Sequence, residues 1–457
     1  MSLCVAALAG LGRHTVADLL VVSGQAFRDW TAAYRLFQKR RIGAEPLFEV
    51  VLDGVEGGLP PEAPLVAPLD DTLLRKTGRK VPGTAWRRDP LGPKFKTQFA
   101  WAQRFLQIAV AWPLGSGTGE ASVIPIDFVH APTPKKPRKD ACDEERERYK
   151  AQSQRMAVTR VAVERLARLR AWLDGRPQGR ARPLHAVGDG GYTNATVLRG
   201  LPERTVFIGR LRCDAELYYG PTPEEQKPQG RNLTYGRRAP TPEARLQDPA
   251  GPFEEVQAFA AGQEHTFRVK TLGPVLTRMN QGQQALRVVC IAPLAYQLKK
   301  GGRRLYREAA YVACTNPDLP VKDVVQEFVW RWGIEVNHRD EKTLLGVGEA
   351  QVRHPEAAAR VPAVLVATYA IFLLAARLAF GGGGPLPETL PRPKWQRAPR
   401  HTHASTPELL RHLRAELWGR VLGLAHFSRF ATRAPAGAKG EKYAKPRVDA
   451  AALYATR

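Results

Sequence analysis

Apolar positions recur with two different periods along this chain, and the changes of period divide it. In residues 1–60 the spacing is helical. Thr15-Val16-Ala17-Asp18 has the form of a capping box, and residues 26–38 carry Phe27, Trp30, Tyr34, Leu36 and Phe37. Two uses fit that region equally: a small helical DNA-binding module, or a helical bundle packed on the core. From Pro64 short apolar runs take over, at residues 65–69, 99–110 and 123–129, which is the pattern of strands separated by turns. Residues 143–173 predict one long charged amphipathic helix. A buried strand over 184–189, a short helix over 193–201 and a strand over 205–210 then complete an α/β alternation.

The rhythm breaks at 213–300, which is rich in Pro, Gly, Gln and charge. Only short β-like segments such as 264–269 and 285–293 stand out, and they predict an inserted strand-rich subdomain. Helical patterns return at Val321 and run to an apolar stretch at 361–380. That stretch has the length of a membrane span, but Pro362, Thr368, Tyr369 and Arg377 within it favour a buried core helix. A glycine run at 381–384 and a Pro-rich basic stretch to Arg400 predict a linker, followed by one helical pattern at 407–424 and a basic end.

Composition adds a partner class. The 457 residues are 44% apolar, enough for a large core and two or three domains. A formal net charge of +25 and a pI near 10.2 favour a polyanionic partner, most simply nucleic acid. Basic runs at 39–41, 135–139, 299–304 and 392–400 spread that charge along the chain. Five cysteines lie far apart without metal or redox spacing, which suits reduced thiols in the cytoplasm, and no secretory leader is apparent. His401 and His403 lack a third ligand at metal spacing and read as surface histidines.

Candidate chemistry rests on a few acids. Phe328, Arg331, Glu335 and Lys342 form one stripe on a continuous helix, a carboxylate flanked by two cations, with Asp340 and Glu341 well off it. Solvated i,i+4 pairs give the same spacing. Asp71, in Asp70-Asp71-Thr72, ends the first strand pattern, and Asp189, in Gly188-Asp189-Gly190-Gly191, ends the fourth. If the two strands are parallel neighbours, their ends converge on one sheet edge, with Glu335 on a nearby helix. Each acid also has a structural use: Asp71-Thr72 as a cap and Asp189-Gly-Gly as a turn. Asp127, after the run 123–126, is a rival strand-end acid.

The order Asp71-Thr72, a strand ending in Asp189, a β-rich segment and then Phe328-x2-Arg331-x3-Glu335-x6-Lys342 resembles the DDE transposases of the insertion-sequence-4-like superfamily over residues 60–380. The most specific parts are the Arg331, Glu335 and Lys342 spacing, Trp332 and Ile334 beside the glutamate, and Gln351-Val352-Arg353 after the helix. The chain departs from the signature at Phe328, where the family has tyrosine. The resemblance implies an α/β fold: a ribonuclease H-like mixed-sheet core with a β-rich insertion subdomain and helical N- and C-terminal regions. On that basis the divisions are a helical region at 1–60, core at 61–212, insertion at 213–315, core with the glutamate helix at 316–380, and linker and tail at 381–457.

The resemblance also implies Asp71, Asp189 and Glu335 as a catalytic, metal-binding triad with Asp70 as a neighbour. Two Mg²⁺ ions are implied, with Mn²⁺ as a substitute, and hard carboxylate ligands suit them. Arg331 and Lys342, with Phe328, Arg339 and Arg353, are implied DNA contacts. The expected activity is cleavage at transposon ends and strand transfer, on double-stranded DNA carrying terminal inverted repeats and on target DNA, by a homodimer in a bacterial cytoplasm without a membrane partner. A non-catalytic DNA-binding descendant and a structure-selective nuclease on the same core are the alternatives.

Overall fold

The computed structural model describes residues 2–89, 92–93, 95–115, 119–226, 232–297, 303–381 and 404–421. The basic stretch at 392–400, His401, His403, Lys299, Lys300 and the tail beyond 421 lie outside them. Four helices come first: α1 (Ser2–Ala9), α2 (Val16–Val22), α3 (Trp30–Gln38) and α4 (Glu45–Gly58). Thr15 caps α2 by accepting the Asp18 amide at 3.2 Å. Then follow β1 (Leu65–Arg75), β2 (Ala85–Arg88), β3 (Phe99–Pro113), β4 (Ala121–His130), α5 (Asp143–Arg155), α6 (Val158–Asp174), β5 (Leu184–Gly188), α7 (Ala195–Arg199) and β6 (Thr205–Arg210). The helix expected over 143–173 is therefore two, broken at Met156 and Ala157.

The segment expected as a separate insertion contributes α8 (Pro242–Gln247), β7 (Glu254–Ala260), β8 (Gln263–Val275), β9 (Leu286–Ile291), the short hairpin β10 (Ala295–Gln297) and β11 (Arg304–Tyr306), and β12 (Ala310–Cys314). Except for that hairpin, its strands extend the central sheet. The ten-stranded sheet runs β2-β3-β1-β5-β6-β12-β9-β8-β7, with β4 also on β3. The fold is thus α/β with one large mixed sheet, as expected of a ribonuclease H-like core.

The remaining helices are α9 (Val321–Trp330), α10 (Trp332–Leu344), α11 (Pro355–Phe380) and α12 (Thr406–Val421). α11 is long and apolar enough to cross a membrane, yet it lies inside the fold. It packs on β4 and α4 and also touches α1 and α3, with Val361 to Ala370 buried. Residues 1–60 accordingly form helices packed on the core.

Two features position the site. β1 pairs in parallel with β5, Leu65 opposite Leu184 through Pro68 opposite Val187, so the ends of both runs reach one edge. β1 does not stop there: antiparallel pairing with β3 carries it through Asp70, Asp71 and on to Arg75. The helix expected from Phe328 to Lys342 also breaks, between α9 and α10 at Arg331. Gly333 lies so close to β4 that a Cβ there would come 2.3 Å from Val123 Cγ2.

Candidate active site

Successive residues of a strand face opposite sides of the sheet, so Asp70 and Asp71 part company. Val66 belongs to the apolar layer that also holds Val187, Val324 and Val325, under α9. Asp70, four residues on, points to that side, and residues paired across the sheet share it, so Gln107 faces there too. Asp70 Oδ2 lies 3.5 Å from Arg331 Nη1, and Arg331 Nη2 donates to Glu335 Oε1 at 3.1 Å. One guanidinium therefore bridges an aspartate of the sheet and a glutamate of α10. The Arg331 side chain is only 14% exposed, which keeps solvent screening of the bridge low.

Asp189 follows β5 directly. Two steps beyond the Pro68–Val187 pair, it stands level with Asp70, and the Gly191 amide donates to its Oδ1 at 2.8 Å. Burial and then the Asp189 charge push the Asp70 carboxyl up to about 7, outweighing Arg331, which pulls it down. Asp70 is thus coupled by charge to Asp189, Arg331 and Asp71, and Arg331 in turn holds Glu335.

Asp71 is on the other side of β1. The Tyr192 hydroxyl donates to its Oδ1 at 3.0 Å, and Arg104 and Arg87 supply the nearby positive charge. Burial and the Asp189 charge raise its pKa, while Arg104, the Tyr192 hydroxyl and Arg87 pull it down. The structure therefore brings Asp70, rather than the expected Asp71, to Arg331 and Glu335, because strand parity sets the face. The rival Asp127 is neutralised by Arg165, which donates from Nε at 2.5 Å and from Nη2 at 2.7 Å.

The expected DNA contacts separate as well. Lys342 is exposed on the last turn of α10, where the charges of Asp70, Arg75 and Asp89 reach it. Arg353 is exposed beyond α10. Arg339 is engaged with Asp340 at 2.9 Å. Phe328 sits on α9, half-buried against the apolar layer of Val66 and Val187, on the α9 side of the break at Arg331.

Two buried pairs were not anticipated. His185 Nδ1 lies 3.0 and 2.9 Å from the two oxygens of Glu327, with both side chains about 5% exposed. His185 precedes Asp189 by four residues and Glu327 precedes Arg331 by four, so this pair ties the strand carrying one acid to the helix leading to the other. No spacing in the sequence relates the two. Further along α10, Glu341 is fully buried near Gln107, and burial pushes its carboxyl up to about 8.

Asp70, Asp189 and Glu335 offer only carboxylate oxygens, the donor type that hard divalent ions prefer. With side chains as placed, no three His, Cys, Asp or Glu residues among those described form a group that would hold an ion. Arg331 provides the positive charge between Asp70 and Glu335. The donor set nevertheless fits a divalent cation chemically: all three groups are carboxylates, and Asp189 lies near enough for its charge to add to burial in raising the pKa of Asp70.

Residues 2–273 match the sequence model of a family described as DDE superfamily endonuclease. The match takes in Asp70, Asp71 and Asp189 and ends before α9 and α10, so the placing of Arg331, Glu335 and Lys342 rests on geometry alone. Among curated proteins none matches the chain.

Proposed function

The chain belongs to the DDE superfamily endonuclease family, and from that premise we propose that it is a metal-dependent transposase of the insertion-sequence-4-like kind, with Asp70, Asp189 and Glu335 as its reacting carboxylates. The observation that carries this reading is the Arg331 bridge between Asp70 and Glu335 beside Asp189. Asp70 takes the role that the sequence resemblance gave to Asp71.

Asp70, Asp189 and Glu335 would hold Mg²⁺, with Mn²⁺ as a substitute. Bound there, such ions would supply charge neutralisation at the scissile phosphate and lower the pKa of an attacking water. The protein's own groups do the rest. Arg331 has a planar fork and Lys342 a mobile point charge, and both suit phosphate oxygens of a DNA strand laid across α10. His185 and Glu327 hold β5 and α9 together, which fixes the separation of Asp189 from Arg331. The excess of +25 charges favours DNA as the partner, and pairing of two ends calls for a homodimer.

The test is nicking of a supercoiled plasmid carrying the element's own terminal inverted repeats, in Mg²⁺ and with Mg²⁺ chelated. Mg²⁺-dependent cuts at the repeat ends, followed by joining of a pre-cut end to a second plasmid, are the expected results. Cutting without joining would leave a nuclease, and repeat binding without cutting would leave a DNA-binding protein.

A further inference from the structure

A second surface on the Asp70 side of the sheet has no part in that chemistry. β2 and β3 pair with Trp86 opposite Trp101 and Arg88 opposite Phe99. Cross-strand partners, and residues two apart on a strand, share a face. Trp86, Arg88, Phe99 and Trp101 therefore make one four-cornered patch. The two indoles meet edge to face with centroids 5.6 Å apart, and the Arg79 guanidinium lies 4.9 and 5.2 Å from them. Trp86 is 57% and Phe99 62% exposed, and Arg79 and Arg88 are exposed too. Large rings left in water at a sheet edge contribute little to a core, and such patches mark binding surfaces.

The patch is fixed in place and aligned with the acids. Trp101 Nε1 donates to Gly78 O at 3.3 Å, and the Gly78 amide donates to Gln351 Oε1 at 3.1 Å. Lys76 Nζ donates to Gly348 O at 2.6 Å and to Ala350 O at 2.8 Å. The loop bearing Arg79 is thereby fastened to the segment leaving α10. On the same face β3 continues through Gln103 and Phe105 to Gln107, the partner of Asp70. Six residues of strand separate Trp101 from that point, about 20 Å. Asp89, the acid beside the patch, is already paired with Arg75, so the patch keeps its positive character.

We propose that Trp86, Phe99 and Trp101, with Arg79 and Arg88, form a stacking surface for unpaired DNA bases. The inference rests on the reading of the protein as a DNA-cutting enzyme and adds a partner form to it. Duplex DNA presents phosphates and groove edges while its base faces stay stacked on one another. A single strand presents the π faces that ring and guanidinium planes bind, together with phosphates for Arg79 and Arg88. Bases that come unpaired beside a strand cut at Asp70 and Glu335 would lie within reach of the patch.

The test compares binding of a fluorescein-labelled single-stranded oligonucleotide and a duplex of the same length by the full-length protein, by Trp86→Ala/Phe99→Ala and by Trp86→Phe. A single strand carrying 2-aminopurine reports stacking directly by quenching. The double variant is expected to bind the single strand roughly tenfold or more weakly and to lose the quenching. Its duplex affinity should stay within about twofold, and Trp86→Phe should keep most single-strand affinity. Unchanged single-strand binding by the double variant, an equal loss with Trp86→Phe, or dissociation of a dimer by the double variant would each overturn the proposal. Plasmid nicking by the unmodified protein separates the two readings. If it nicks while the double variant binds single strands normally, the stacking surface alone falls; if it never nicks, the enzyme reading falls.

Discussion

Asp70 and Asp71 are neighbours in one strand and both feel the Asp189 charge, yet they face different partners. On the Asp70 side, two further carboxylates and one guanidinium share a half-open edge. Burial and Asp189 together overcome Arg331 and push the Asp70 carboxyl up to about 7. On the Asp71 side, a phenol donates to the carboxylate and Arg104 and Arg87 oppose burial and the Asp189 charge, which raise its pKa. In the first arrangement three carboxylates share one guanidinium; in the second two guanidiniums and a phenol face one carboxylate that also feels Asp189. A site that needs an added cation looks like the first; a strand pinned to its neighbours looks like the second.

The largest expected effect breaks or keeps that distinction outright. Asp70→Asn should lower plasmid nicking by about a thousandfold, the upper range for removing one electrostatic group at a reacting centre. Glu335→Gln and Asp189→Asn should match it. Asp71→Asn should remain within about tenfold of the unmodified rate, with DNA binding retained in all four. The reverse ranking of Asp70 and Asp71 would move the chemistry to the Tyr192 side and return the triad to the one the sequence resemblance implied.

How far the sequence alone could reach is clear from these two residues. The runs at 184–189 and 65–69 were legible from apolar content, and the Arg331–Glu335 spacing, which gives a 3.1 Å contact, from residue positions, whereas the parallel pairing of the two strands entered only as a condition and is seen in the fold. The DDE resemblance holds at the level of the superfamily through the match over residues 2–273. The choice between Asp70 and Asp71 was not legible. β1 is apolar on both faces, Leu65, Ala67 and Leu69 on one and Val66 and Pro68 on the other, so polarity could not say which side met the helices. The break at Arg331 falls two residues before Gly333, which packs against Val123 of β4, and the His185–Glu327 pair spans 142 positions. Both contacts join distant segments.

A second expected effect sharpens the electrical contrast within the Asp70 side. Glu341 is held at about 8 in the fold against an ordinary value of 4.5. Between those limits the unfolded chain loses the proton while the folded one keeps it, so stability declines as pH rises from 4.5 to about 8 and then levels. Glu341→Gln removes this loss. Its unfolding free energy from urea titration should exceed that of the unmodified protein by an amount that grows with pH, on the order of 2 kcal/mol or more at pH 8. Parallel curves from pH 5 to pH 8 would mean that Glu341 is charged and paired inside the fold.

Smaller still is the effect expected from exchanging one cation for another. Arg331→Lys keeps the charge but loses the fork that reaches Asp70 and Glu335 at once. Nicking should fall roughly tenfold, less than for any of the three carboxylates. A fall equal to that of Asp70→Asn would make the guanidinium geometry, rather than its charge, the essential property.

The smallest expected effect lies on the Asp71 side, and it tests whether that side is purely structural. Tyr192→Phe removes the 3.0 Å hydroxyl donor to Asp71 and leaves ring packing intact. The phenol is pushed well above its ordinary pKa by burial and by Asp71, so at neutral pH it remains a donor and contributes a hydrogen bond rather than a charge. Arg104 and Arg87 stay close to the carboxylate, so the cost should be that of one hydrogen bond to a charged group, about 1 to 2 kcal/mol in urea unfolding. Nicking should change by less than about threefold, because none of the groups around Arg331 moves. If Tyr192→Phe instead slowed nicking as much as Asp70→Asn while stability held, Asp71 and its phenol would belong to the reacting group, and one strand would serve the chemistry from both of its faces.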